Sequence, residues 1–139
     1  MSRGGKAEAV KGELLFDRAL SPGELGPLRT LLTDWTNAES LDADMVNAIV
    51  LSGYEVLANS VEHGYPGHGG GPVELYADHT GDLVTVTVVD HGGWCTPPTD
   101  PGVRGRGLSL VRGLTTTADV AGSDHGTTVT MTWRVAANA

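Results

Sequence analysis

Two helices are predicted in the first half of the chain from the spacing of its apolar residues. The segment Ser21-Pro22-Gly23-Glu24 has the form of a capping box with proline at the first helical position. A helix that follows it would place its apolar side chains on one face. These side chains are Leu25, Leu28, Leu31, Leu32 and Trp35.

A second, longer helix is predicted from Leu41 and Asp42 to about His63. Apolar or small residues lie almost all round it, so we expect this helix to be buried rather than superficial. They include Met45, Val46, Ile49, Val50, Val56, Leu57 and Ser60.

Most of the remaining chain alternates apolar and polar residues, which is typical of strands. The predicted strands cover residues 14–20, 73–79, 83–89, 117–122 and 127–135. The second and third would form a hairpin around Thr80-Gly81-Asp82, and the last two would form another hairpin.

One acidic residue, Asp90, is predicted on the buried face of its strand. Val84, Val86 and Val88 share one face of their strand, and the period of two places Asp90 on that same face. Asp90 should therefore point toward the helices, where a carboxylate without a donor is costly. In the last strand, Thr127 falls in the row of inward side chains formed by Val129, Met131, Trp133 and Val135.

These elements predict a two-layer α/β sandwich, in which a mixed, mostly antiparallel sheet is covered on one face by about three helices. At 139 residues the chain should form one domain over residues 13–136, after a flexible N-terminal arm over residues 1–12. Residues 94–104 contain three prolines and should form an irregular lid loop. Gly105-Arg106-Gly107 would then open a third helix through Leu108.

Charge and cysteine content narrow the classes of function. The 9 basic and 17 acidic residues give a formal charge of −8, which argues against direct nucleic-acid binding and against an anionic membrane surface. The single cysteine, Cys95, excludes an internal disulfide and a multi-cysteine zinc site. No membrane-length apolar run or signal peptide is evident, so we expect a cytoplasmic protein.

Three polar residues recur every fourth position on the otherwise apolar second helix, namely Glu55, Asn59 and His63. A four-residue step returns side chains to one helical face. Asn59 could offer an oxygen to Mg²⁺, and Glu55 could polarise an attacking hydroxyl or water. For these three residues alone, a solvated surface stripe is the simpler interpretation, and His63 more simply closes the helix.

Residues further along the chain suit a nucleotide. Asp90 could accept a hydrogen bond from an exocyclic amino group, and Thr127 could reach the same ring. Glycines at a helix N-terminus expose amide hydrogens for phosphates. Ordinary turn and loop roles remain open for Asp90 and for these glycines, whereas Rossmann and Walker glycine patterns are absent.

The ordered set of motifs resembles the histidine-kinase-like ATPase domain, and within it the RsbW-like anti-sigma-factor serine kinases. The resemblance covers roughly residues 14–135. Its motifs are Glu55-x-x-x-Asn59-x-x-x-His63, Asp90-x-Gly92, Gly105-x-Gly107-Leu108 and Gly126-Thr127.

This resemblance implies a Bergerat-type ATP-binding fold that uses ATP and Mg²⁺, with Glu55 as catalytic base and Asn59 as metal ligand. It implies a nucleotide-binding set of Asn59, His63, Asp90, Gly92, Arg104, Gly105, Arg106, Gly107, Leu108 and Thr127. The implied partners are a sigma factor and a STAS-domain antagonist that accepts the phosphoryl group, and the family pattern also allows a homodimer.

Two functions stay open at this point. Intact Glu55 and Asn59 favour a kinase. Trp94 stands where the adenine motif usually has a further glycine, which favours a non-catalytic module that binds a sigma factor or another partner.

Overall fold

The structure, a computed structural model, describes residues 6–10, 12–63, 71–91, 115–123 and 126–135. Its centre is a six-stranded sheet in the order β1-β2-β3-β4-β6-β5. The strands are β1 (Lys6–Val10), β2 (Glu13–Leu20), β3 (Gly71–Thr80), β4 (Leu83–Asp90), β5 (Thr117–Ser123) and β6 (Gly126–Arg134).

Every pairing between these described strands is antiparallel. The predicted strand over residues 14–20 and both predicted hairpins are confirmed. Residues 6–10, which the prediction placed in a flexible arm, form β1 and pair with β2. The limits of the domain itself stay a prediction.

Both helices of the first half form where the sequence predicts them. A 3-10 turn over Pro22–Glu24 precedes α1 (Leu25–Ala38), and the Glu24 carboxylate accepts a hydrogen bond from the Ser21 backbone N–H at 2.9 Å. The second helix, α2, spans Ala43–His63, and Asp42 caps it by accepting from the Met45 N–H at 2.8 Å. The third predicted helix, after residue 107, and the predicted lid over residues 94–104 lie outside the described residues.

The helices pack on one face of the sheet, as predicted for a two-layer sandwich. Helix α1 contacts β2 and α2, while α2 contacts β3, β4 and β6. Between the layers lies an aliphatic core in which Val84, Val86 and Val88 are fully buried. No helix in the described ranges combines the length and apolar character needed to cross a bilayer.

A glycine brings the two helices together. A Cβ atom at Gly53, in the middle of α2, would lie 2.6 Å from Leu32 Cδ2 on α1. Leu32 is itself buried, so a side chain at Gly53 would separate the helices. The helix therefore carries a poor helix former in its interior in exchange for close contact with α1.

At one end of the sheet, a hydrogen-bonded cluster links α1 to β3 and to the β1–β2 turn. Glu39 Oε1 lies 2.8 Å from His79 Nδ1, and Glu39 Oε2 accepts the Gly12 backbone N–H at 2.8 Å. The His79 N–H donates to the Gly12 carbonyl at 2.9 Å. These bonds join the helix to β3 and to the β1–β2 turn, far along the strands from Asp90.

Candidate functional site

The predicted inward aspartate lies on the helix-covered face of the sheet. Asp90 ends β4 and is 1 % exposed, and it pairs across the ladder with Thr127 on β6, which is 2 % exposed. Thr127 pairs in turn with Gly122 on β5. Because directly paired residues point to one face, Asp90, Thr127 and Gly122 form one row across three neighbouring strands.

Gly126 allows the ends of β4 and β6 to approach each other closely. It has φ of +143°, and a Cβ atom there would lie 2.0 Å from the Asp90 carbonyl oxygen and 3.0 Å from the His91 Cα. No other residue type fits this contact. Gly126 therefore fixes the position of the backbone at Asp90. The sequence motif alone did not show this role.

Gly122 leaves space beside the threonine. A Cβ atom at this position would lie 3.6 Å from Thr127 Oγ1, which is an ordinary contact. Because Gly122 has no side chain, the space next to Thr127 stays open. The sequence signal for this residue is its place in the predicted strand over residues 117–122.

Four buried side-chain polar atoms have no hydrogen-bond partner in the described part of the chain, namely Trp35 Nε1, Ser52 Oγ, Asn59 Nδ2 and Thr127 Oγ1. Two of them, on Asn59 and Thr127, belong to the predicted site. A buried polar group normally has a partner, and leaving one without costs about 1–3 kcal/mol. Both residues were predicted to meet a nucleotide or its metal, and both retain unused hydrogen-bonding capacity.

The polar row of α2 lies on the helix that contacts the strands of this site. Glu55 and Asn59 are half-buried and one turn apart on α2, which has a core-facing side and also an exposed side that includes Asn47 and Leu51. His63 is the last residue of α2, and its side chain is outside what the structure describes. The structure therefore keeps Glu55 and Asn59 available at one side of the buried helix.

A depression of about 310 Å³ opens at the sheet end that carries Asp90. A volume of this size is at the lower end of small-molecule sites. Its walls are Val89, Asp90, His91, Ala121, Gly122, Gly126, Thr127 and Thr128. The buried acceptor, the unbonded hydroxyl and the two glycines thus border one opening.

The remaining predicted phosphate and lid residues fall outside the described residues. They are Gly92, Arg104, Gly105, Arg106, Gly107 and Leu108. Their roles stay predictions.

A second polar group lies on the other face of the sheet and includes His91, which lines the opening. Glu74 on β3 accepts a hydrogen bond from the Tyr76 hydroxyl, and its Oε2 lies 2.6 Å from His91 Nε2. The hydrogen bond from Tyr76, followed by the one from His91, holds the pKa of Glu74 below its usual value. The same bond to Glu74, together with burial, raises the pKa of Tyr76 to about 12. The His91 side chain is half exposed, and the sequence did not indicate this contact because its partner lies seventeen positions away on another strand.

Magnesium is the metal that the predicted donor set suits. The amide oxygen of Asn59 is a hard ligand of the kind that Mg²⁺ takes, while the buried atom without a partner is the amide nitrogen, which donates hydrogen bonds and does not bind a cation. Within the described ranges there is no group of three or more His, Cys, Asp or Glu side chains placed to hold a metal. The fit therefore rests on Asn59.

Comparison with known proteins agrees with this geometry. The model of the histidine kinase-like ATPase domain matches residues 19–133. Among solved structures, the chain is similar to the RsbU and RsbW domains of Rv1364c from Mycobacterium tuberculosis, at 25% identity and a TM-score of 0.70. That match covers 90% of this chain and 33% of the other.

A second similar structure is the histidine kinase domain of the blue-light-activated histidine kinase from Erythrobacter litoralis EL346. The identity is 22% and the TM-score 0.59, with 82% of this chain and 60% of that chain covered, so this likeness concerns the fold. The chain spans a third of the first of these structures and less than two thirds of the second. With its family model matched over most of its length, the chain belongs to the histidine kinase-like ATPase domain family.

Proposed function

We propose that this protein is an ATP-binding, RsbW-like anti-sigma factor that phosphorylates a serine or threonine of a STAS-type antagonist. One observation carries the nucleotide part of the proposal. A buried carboxylate, Asp90, and a buried hydroxyl without a partner, Thr127, stand side by side at the open end of the sheet. Similarity to an RsbW domain supports the kinase and partner-switching part.

Asp90 and Thr127 are suited to recognise adenine. An ionised carboxylate only accepts hydrogen bonds, and the exocyclic amino group of adenine is a donor. The Thr127 hydroxyl can both donate and accept, so it can bond a ring nitrogen or a bridging water. Gly122 leaves room for a flat ring close to the backbone, whereas Gly126 lets the backbone of Asp90 and His91 approach β6.

Asn59 and Glu55 would serve the phosphates and the acceptor. Asn59 would hold Mg²⁺, which when bound neutralises negative charge on the phosphates. Glu55, one turn earlier, would accept the proton of the attacking serine hydroxyl as its oxygen bonds to the γ-phosphorus. The bond from that phosphorus to the bridging oxygen breaks, and ADP leaves.

Separate variants distinguish binding from transfer. We expect Glu55→Ala to retain ATP but to lose transfer by about 10²–10⁴-fold, because a general base typically contributes that much. We expect Asn59→Ala to lose the Mg²⁺-dependent part of ATP affinity as well. Asn47→Ala is the matched control, because Asn47 is an exposed asparagine on the same helix.

The assay is transfer of label from γ-labelled ATP to a purified STAS-domain protein, alongside calorimetric ATP titration. Undiminished transfer by Glu55→Ala would remove this residue as the base. Equal behaviour of Asn59→Ala and Asn47→Ala would remove Asn59 as the metal ligand.

The second candidate is a non-catalytic module of the same fold that sequesters a sigma factor. The observation that favours it is Trp94, which replaces a glycine usual in the adenine motif. Tight partner binding by the wild-type protein, without label transfer to that partner, would favour this candidate. The acidic charge of −8 suits a protein partner rather than nucleic acid in both cases.

A further inference from the structure

We propose that His91 is a positioning residue that holds the Asp90 carboxylate in place and so sets the preference for adenine over guanine nucleotides. The inference rests on the proposed function, because it assumes that Asp90 meets the base. It concerns a side chain on the opposite face of the sheet from the base. It adds to the site a contact that the motif around Asp90 does not contain.

The backbone ladder on one side of β4 ends at Asp90. Asp90 pairs with Val73 on β3, and this is the last pair of the β3–β4 ladder. The next residue of β3 is Pro72, which has no N–H and cannot donate to the chain that continues past Asp90. Beyond that pair, the His91 side chain reaches diagonally to Glu74 with 2.6 Å between Nε2 and Oε2.

Glu74 is a well-defined anchor for this connection. Its other oxygen accepts the hydroxyl of Tyr76, so both carboxylate oxygens are engaged on one strand face. These hydrogen bonds keep the pKa of Glu74 low, so the carboxylate is charged at neutral pH. Because a carboxylate only accepts, His91 Nε2 carries the proton in this contact. Asp17, the partner of Glu74 on β2, is the nearest further acid on this face.

The other side of the same backbone is held by Gly126. With the Asp90 carbonyl oxygen and the His91 Cα packed against this glycine, the end of β4 is confined between β3 and β6. Loss of the His91–Glu74 contact would remove a side-chain contact on the β3 side, although Asp90 stays paired with Val73. The end of β4 would then be less restrained, and the Asp90 carboxylate on the opposite face would shift with its backbone.

Discrimination between bases depends on that position. Adenine presents an amino donor where guanine presents the O6 acceptor. A carboxylate held in place attracts the first and repels the second. A carboxylate that can shift avoids the repulsion from guanine O6 and makes a weaker bond to the adenine amino group. The ratio of ATP to GTP affinity then falls.

The test compares ATP and GTP affinities, each with Mg²⁺, by calorimetry on the full chain. Five proteins are needed: wild type, His91→Ala, His91→Gln, Glu74→Ala and Arg134→Gln. Glutamine places an amide N–H near the position of Nε2 and should restore the bond to Glu74. Arg134→Gln is the control, because it removes an exposed pair, Arg134 Nη1 to Asp82 Oδ2 at 3.1 Å, from the other end of β4 and β6.

We expect His91→Ala to lower the ratio of ATP to GTP affinity by about fivefold, which is the loss typical of one hydrogen bond. His91→Gln should stay close to wild type, and Arg134→Gln should be unchanged. Glu74→Ala provides an independent check, because it removes the same contact from the other partner. It should give the same loss of selectivity.

The inference and the proposed function fail in different ways. Wild-type protein that binds neither nucleotide would overturn the proposed function, and this inference with it. Wild-type protein that prefers ATP, with an unchanged ratio in both His91→Ala and Glu74→Ala, would overturn the inference alone. A loss in His91→Ala that His91→Gln does not restore would also contradict positioning through this hydrogen bond.

Discussion

Replacing Gly126 by alanine would put a methyl group where the backbone of β4 already lies. The new Cβ would be 2.0 Å from the Asp90 carbonyl oxygen, which is more than 1 Å inside van der Waals contact. The residue would also keep φ of +143°, a conformation that costs a residue other than glycine about 1–3 kcal/mol. The strand ends must separate to relieve the contact, at a further cost of about 1 kcal/mol for a broken ladder bond.

We therefore expect Gly126→Ala to lower the free energy of unfolding by about 2–4 kcal/mol. It should also weaken ATP binding, because Thr127 and Asp90 would move apart. Gly122→Ala is the matched control on the neighbouring strand. Its Cβ would lie at an ordinary 3.6 Å from Thr127 Oγ1, and the unfolding free energy should change by less than about 1 kcal/mol.

Urea unfolding followed by tryptophan fluorescence measures both variants, and the slope of free energy against urea reports whether the folded state stays compact. A Gly126→Ala protein with wild-type stability would refute the close approach of β4 and β6. Equal losses in both variants would show that the site tolerates no added side chain, and that the contact with the Asp90 carbonyl is not the cause.

Two further predictions concern side chains away from the base. Glu39→Gln should lower the unfolding free energy by about 1–3 kcal/mol in urea, because the carboxylate holds His79 and the Gly12 N–H, and an unchanged stability would contradict this cluster. Ultraviolet titration should show one of the three tyrosines ionising near pH 12, and Tyr76→Phe should remove that step. Since the folded pKa of Tyr76 is the higher one, stability should fall as pH rises between about 10 and 12 in wild type, and this fall should disappear in Tyr76→Phe. The lowered pKa of Glu74 has the opposite sign, so its contribution is present above the unfolded pKa and is lost on acidification.

Regular alternation made much of the fold predictable. The three valines of β4 placed Asp90 on the buried face, and the structure has it 1 % exposed. Strand β1 was missed, because Lys6–Val10 has only small apolar residues before its last position and gives a weak pattern. Its pairing with β2 depends on a neighbour that local sequence does not reveal.

Helical spacing predicted that Glu55 and Asn59 lie one turn apart on one helix, and α2 has them so. Their roles stay predictions. The contacts that depend on register were not predictable, because one residue of slip between strands changes every pair. Gly126 against the Asp90 carbonyl and His91 against Glu74 are both of this kind.

Calorimetric titration of Mg²⁺ and ATP into the wild-type protein and into Asp90→Asn tests the central claim most directly. The asparagine has nearly the same shape but turns part of the acceptor into a donor, which leaves the adenine amino group poorly paired. We predict saturable ATP binding to wild type and a loss of about 1–3 kcal/mol of binding free energy in Asp90→Asn. The variant should still show a cooperative urea unfolding transition, which demonstrates that it is folded. Equal ATP affinity in a folded Asp90→Asn protein, or no binding to wild type, would contradict the assignment of this sheet end as an adenine site.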